Sequence, residues 1–186
     1  RYNQEKTSSG LAGILRLGGW YHFDDFDHQH IDRFGHSLAH PLSDGAARVM
    51  RGTGGIYGIF DQQIYRPKGG DADSGISLFG RFGATQSDRN LVDFFFDTGI
   101  VFAGMLPGRP DDKFGASLIY ARMSDRASAL DRDMIVFSEA IQPVRDYEML
   151  LEVTYQAQIK PGWTVQPVLQ YIFHPGGNVP DAMSPE

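Results

Sequence analysis

The chain has 186 residues, a net charge of −6, 41% hydrophobic residues, 22 Gly and no Cys. Without Cys there is no disulfide framework, no thiolate metal site and no cysteine nucleophile, and the acidic balance without a basic stripe disfavours a nucleic-acid partner. No run approaches about eighteen apolar residues, so no transmembrane helix is expected, which leaves a membrane β-barrel open.

Residues 1–10 are polar and read as loop or frayed edge; the chain starts at Arg1 without Met or a signal peptide, as a mature, cut or partial chain would. The first predicted strand is 11–23, with Leu11, Leu15, Leu17, Tyr21 and Phe23 on one face and Arg16, Trp20 and His22 on the other. Residues 24–52 lack sustained periodicity, are rich in Asp and His, and read as a long connection with a short helix near Gly45 to Met50. Strands follow at 54–65, 74–85, 91–104 and 114–123, separated by turns whose Pro, Gly and Asp content marks them. A second long connection, 124–146, leads to strands at 147–159 and 163–173, joined by Lys160-Pro161-Gly162. The tail from Pro175 to Glu186 reads as unstructured by its composition.

The last two strands carry the clearest pattern. Met149, Leu151, Val153, Tyr155, Ala157 and Ile159 alternate with Leu150, Glu152, Thr154, Gln156 and Gln158. Beyond the turn, Trp163, Val165, Pro167, Leu169, Tyr171 and Phe173 alternate with Thr164, Gln166, Val168, Gln170 and Ile172. Strands of soluble sheets run about five or six residues. Period-two alternation over about eleven, with one face apolar and aromatic, suits a tilted strand crossing a bilayer. Long connections fall at one end of the expected antiparallel sheet and short turns at the other, the arrangement of outer-membrane barrels.

Three stretches resemble a family. Tyr155 to Gly177 (YQAQIKPGWTVQPVLQYIFHPGG) resembles the C-terminal signature of the OprB-like carbohydrate-selective porins. A second likeness lies in Gly99 to Gly104 with Leu106 to Asp112 and Phe114-Gly115, and a third in Tyr57 to Gln63. The resemblance implies an all-β fold, an antiparallel transmembrane β-barrel of the outer-membrane porin type. It implies passive, carbohydrate-selective diffusion of sugars and no enzyme activity. It also implies location in the Gram-negative outer membrane, with outer-membrane lipid and small sugars as partners and a homo-oligomer allowed. About seven strands cannot close a barrel of even strand number, and an open edge in lipid leaves backbone groups unpaired. Residues 1–186 therefore read as one partial porin domain, the C-terminal part of a barrel of about sixteen strands without its last strand.

The expected pore-lining set is Arg16, Trp20, Asp61, Arg81, Asp97, Glu152, Gln156, Gln166 and Gln170. Carboxylates, amides and guanidinium groups exchange hydrogen bonds with hydroxyls, and Trp can stack on a pyranose face. A single-sign ring of charge selects ions; this set mixes both signs, as a filter for a neutral solute would. Arg81 and Glu152 lie mid-strand, where a lipid-facing charge would cost about 2–4 kcal/mol, so both should face inward. The Asp/His run from His22 to His40, with His28 and His30 two residues apart, reads as a solvated acidic loop rather than a metal site. No cofactor is expected. Gly52-Thr53-Gly54-Gly55 lacks phosphate-loop spacing, and nothing sets two carboxylates at a glycosidase separation. A soluble β-sandwich with a lectin-like sugar site is the alternative. It would bury the aromatic face against a second sheet and break its strands near six residues.

Overall fold

A computed structural model describes Tyr2, residues 10–139 and residues 141–179. The expected tail from 180 to 186 lies outside the described residues. The strands are β1 (Gly13–Asp32), β2 (Ala47–Tyr65), β3 (Gly75–Thr85), β4 (Val92–Ala103), β5 (Lys113–Met123), β6 (Tyr147–Lys160), β7 (Trp163–Val165) and β8 (Val168–Phe173). One helix, α1 (Asp125–Ser138), lies between β5 and β6. All strands form one antiparallel sheet in chain order, with β7 and β8 both paired to β6. The sheet is a meander: from β1 to β7 each connection joins hydrogen-bonded neighbours, as the alternating pattern and short turns require.

Several expectations are corrected. The first connection is not 24–52 but only 33–46, because β1 and β2 run on as a long hairpin of 20 and 19 residues. No helix forms near Gly45 to Met50; Ala47 to Met50 is strand, paired through Val49 to Asp27 and Met50 to Phe26. Both faces of this outer part are polar, so the two-residue period that marks a half-buried strand is absent although the ladder continues. A β-bulge between His22 and Asp25, where two residues oppose Gly52, separates the patterned from the unpatterned half.

The expected strand at 163–173 is broken into β7 and β8 at Gln166-Pro167. Proline has no N–H to give the ladder and is tolerated where no neighbour asks for one. Its carbonyl still accepts from the Tyr155 N–H at 3.2 Å, so the two pieces remain one line of pairing along β6. The second long connection holds α1, which was not expected. Ser124 caps it, its hydroxyl accepting from the Ala127 N–H at 3.0 Å, with Asp125 in the first turn. That is the N-terminal signature of a helix. Past β8, Pro175–Gly177 forms a short 3-10 turn.

Strand pairing fixes the two faces. Leu15, Phe60, Phe82, Phe96, Leu118, Leu151 and Tyr171 belong to one face and are partly or largely exposed. Among the described residues no second layer covers that face: Leu15 is 66% exposed and Leu169 73%. Buried apolar side chains are almost lacking; among the described residues Ala103 and Ala127 are the only ones. A water-soluble sandwich of this length would show a core between sheets. A sheet whose apolar face lies in hydrocarbon has no need of one.

At the end carrying connections 33–46, 86–91 and 124–146, the chain reaches across the sheet. α1 leaves β5 yet packs against β1, four strands away. The His30 Nε2 and Asp133 carboxylate lie 2.7 Å apart, and the His40 ring meets Phe137 edge-on at 4.8 Å. The Gln29 N–H donates to the Asp88 carbonyl at 2.8 Å, and Arg89 donates to the Gly52 carbonyl at 2.6 Å. Contacts between strands so far apart in order span the concave side of a curled sheet. The outer hairpin and α1 therefore lean over the mouth of the concave face.

Candidate functional site: a charged double rung on the concave face

The register assembles the expected residues into two adjacent rungs of cross-strand partners. One reads Arg16, Ile59, Arg81, Asp97, Ile119, Leu150 and Ile172 across β1 to β8. The next reads Ile14, Asp61, Phe79, Gly99, Ser117, Glu152 and Gln170. Both belong to the face opposite Leu15, Phe60 and Leu151, and they stand about 7 Å apart along the strands. Six of the nine expected side chains thus fall in one narrow band, although they come from six separate stretches of sequence.

Arg81 and Asp97 form a two-pronged ion pair, with Nε–Oδ1 at 2.9 Å and Nη2–Oδ2 at 2.8 Å. The Asp97 side chain is 6% exposed, while much of Arg81 remains open. The guanidinium also stands 5.9 Å from the centre of the Phe79 ring. This fork geometry is the strong form of a charge-assisted bond. Gln170 Nε2 donates to a Glu152 oxygen at 2.6 Å. Among the described residues, the side chains of Arg16 and Asp61 have no hydrogen-bonded or ionic partner. The band thus offers one satisfied ion pair, one amide–carboxylate pair, one free cation and one free anion.

The other three expected residues lie off the band. Trp20 is two levels from Arg81 towards the long-connection end, cross-strand from Gly55. Gln156 lies opposite Lys113 near the short turns. It borders a polar cleft of about 620 Å³ that also has Asp71, Asp111 and Lys160 on its rim. Gln166 sits in the break before Pro167 and donates to Thr154 Oγ1 at 2.9 Å. The band also has apolar members that sequence reasoning did not single out: Ile59, Ile119, Leu150 and Ile172. Period-two parity assigned Leu150 and Ile172 to the polar face, but their type argued against attention.

Side chains of the Asp/His run hydrogen-bond within the outer hairpin and to α1. His28 Nδ1 accepts from the N–H groups of His30 and Ile31 at 3.0 and 3.1 Å. His30 is joined to Asp133 of α1, and the bond from His30 holds the Asp133 carboxyl below its ordinary pKa. The middle of the helix is also tied by Arg145, which grips both oxygens of Asp131 at 2.8 and 2.6 Å. At the short-turn end, Asp112 accepts from Arg109 Nε at 2.7 Å, from the Gln158 N–H at 2.9 Å and from the Tyr155 hydroxyl. The Arg109 and Tyr155 bonds hold the Asp112 carboxyl below its ordinary value.

The comparisons agree with this geometry. The model of the carbohydrate-selective porin, OprB family, matches residues 1–184. Porin B of Pseudomonas aeruginosa is 28% identical over 174 residues, which is 90% of this chain and 38% of that protein. A solved structure, the high-pH structure of Pseudomonas putida OprB, matches with a TM-score of 0.84 at 28% identity. It covers 91% of this chain and 41% of the solved one. The chain spans about two-fifths of the length of the relatives it matches. With an antiparallel sheet greasy on one side, a mixed-charge band on the other and a family match over nearly every residue, the chain belongs to the carbohydrate-selective porin, OprB family.

Proposed function

We propose that this chain forms part of the wall of a passive channel through which small sugars diffuse down their gradient. The family is one of Gram-negative outer-membrane proteins. The observation that carries the reading is the double rung. Residues of both charge signs, an amide and a hydroxyl line two adjacent levels of the concave face, while the convex rung between them is Leu15, Phe60, Gly80, Thr98, Leu118, Leu151 and Tyr171. A neutral, hydroxyl-rich solute exchanges hydrogen bonds with such a band and is not repelled by it. Among the described residues the band carries both signs rather than the single-sign charge that would favour one ion.

Transport of this kind needs no bond to be made or broken, so the charged residues act by hydrogen bonding and position rather than as acids, bases or nucleophiles. Arg16, Asp61, Arg81, Asp97, Glu152 and Gln170 are the contacts at the double rung. Gln156 and Gln166 serve nearer the short turns, and Trp20 nearer the long connections. Outer-membrane lipid is the partner of the convex face. The soluble sandwich is not favoured, because β1 to β6, of 11 to 20 residues each, form a single layer with an open apolar side.

The test is liposome swelling with the full-length protein and a series of neutral sugars. Swelling should be fast for monosaccharides and slow for neutral solutes of equal size without a ring of hydroxyls. Equal rates for both classes would leave only a size filter.

A further inference from the structure

Two aromatic rings on the concave face are laid across the neighbouring strand, and glycines make room for them. Tyr57 of β2 is the cross-strand partner of Gly18 of β1, and Trp20 of β1 is the partner of Gly55 of β2. A Cβ at Gly18 would come within 2.5 Å of both Cζ and Oη of Tyr57. A Cβ at Gly55 would meet Trp20 Nε1 at 2.8 Å. No side chain fits either place unless the ring moves. Each ring therefore rests on bare backbone and has its other side free: Trp20 is 45% exposed and Tyr57 41%.

The two seats are interlocked, each strand supplying a ring and a glycine, on consecutive levels about 7 Å apart. The next level towards the band holds Arg16 and the one after it Asp61, the two charged side chains of the double rung that have no partner among the described residues. Phe79 lies over Gly99 in the same manner, but the Arg81 guanidinium occupies its vicinity. Open rings followed by open hydrogen-bonding groups occur together on β1 and β2.

We infer that Tyr57, seated on Gly18, forms with Trp20 a two-ring stacking platform that captures pyranoses on the β1–β2 wall and passes them to Arg16 and Asp61. The inference rests on the sugar-channel reading and adds to it a subsite and a specificity-determining residue. The C–H face of a pyranose is the apolar side of a polar molecule. A ring already laid open to water, with no rotamer left to freeze, binds that face at little entropic cost. The platform stands between the mouth, over which α1 leans, and the charged band, where an entering sugar is met before the double rung.

The test uses the full-length protein in planar bilayers, with glucose as the probe and its block of ionic current as the readout. Tyr57→Leu keeps bulk over Gly18 but removes the ring, and should raise the half-blocking concentration about three- to tenfold while ionic conductance stays within twofold. Tyr57→Phe should behave as the parent. Gly18→Val leaves Tyr57 in place but unseats it, and should match Tyr57→Leu. If the parent neither passes nor is blocked by glucose, the channel reading itself fails. If the parent is blocked and Tyr57→Leu is blocked equally well, the platform alone is overturned. Loss in Tyr57→Phe equal to that in Tyr57→Leu would also overturn it, since the hydroxyl and not the ring face would then be the contact.

Discussion

A guanidinium halfway along a membrane-crossing strand is stable beside water or beside a carboxylate, and Arg81 has both. Its fork closes on Asp97, and its open side faces the concave space. Replacing Arg81 with Ala leaves Asp97 enclosed without its partner. The loss should be about 1–3 kcal/mol, towards the lower end because the pair is partly solvated. The expected result is a folded barrel with a lower unfolding midpoint and altered ion selectivity in bilayer recordings. Adding Asp97→Asn should restore part of the midpoint but not the selectivity. Unchanged selectivity in the single variant would remove Arg81 from the proposed sugar-contacting set. Asp112 works at the same scale but outside the membrane. Its depressed pKa means its bonds contribute stability above the ordinary carboxyl value of 3.8, and that contribution is lost as pH falls through the lower folded value. The β4–β5 turn should therefore resist proteolysis at neutral pH and become open to an acid-active protease only below that range. Asp112→Asn should open the turn at neutral pH, and cleavage mapping within 104–112 would show it.

Among the elements, the strands carry sidedness and α1 carries the mouth. Leu151 and Gln156 lie on the same strand, β6, but on opposite faces. Leu151→Arg should impair folding into bilayers by about 2–4 kcal/mol, whereas Gln156→Arg should be tolerated. Folding yields measured by heat-modified gel mobility would compare them, and equal yields would mean the two faces are assigned the wrong way round. α1 is bound to β1 through the His30–Asp133 contact and to its own return loop through Asp131–Arg145. Asp133→Ala frees only the first. Open-channel current noise should rise while the mean folded fraction is unchanged; Asp131→Ala, which frees the second, should lower protection of residues 139–146 from proteolysis.

For the molecule as a whole, the strands of the patterned region were legible because each has one apolar face. Parity alone also put Arg16, Asp61, Arg81, Asp97, Glu152 and Gln170 on the concave side. What parity could not supply was level. That six residues share two rungs depends on the register of every pair of strands, and register is set by turn lengths and bulges that only the fold reveals. The outer hairpin was missed because strands wet on both faces lose their period. The helix was missed although Ser124 and Asp125 announce it, because its apolar face is short and meets β1 rather than its own neighbours. Tyr57 passed unnoticed because its role depends on Gly18, thirty-nine positions away in sequence. Apart from the isolated Tyr2–Gly13 and Ile31–Ser37 bridges, the outer edges of β1 and β8 have no strand beside them among the described residues. In hydrocarbon those edges need further strands, since nothing else there can satisfy backbone N–H and C=O groups.

The shared level of Asp97, Glu152 and their neighbours also sets what genetic change the wall can absorb. Deleting one codon inside β4 would swing Asp97 into the fat and turn Phe96 towards the water, undoing the filter and the anchorage together. Deleting two would keep every residue on its own side but carry Asp97 one step out of line with Arg81. Length variation should accordingly collect in 33–46 and 124–146, where no residue of the belt depends on the count.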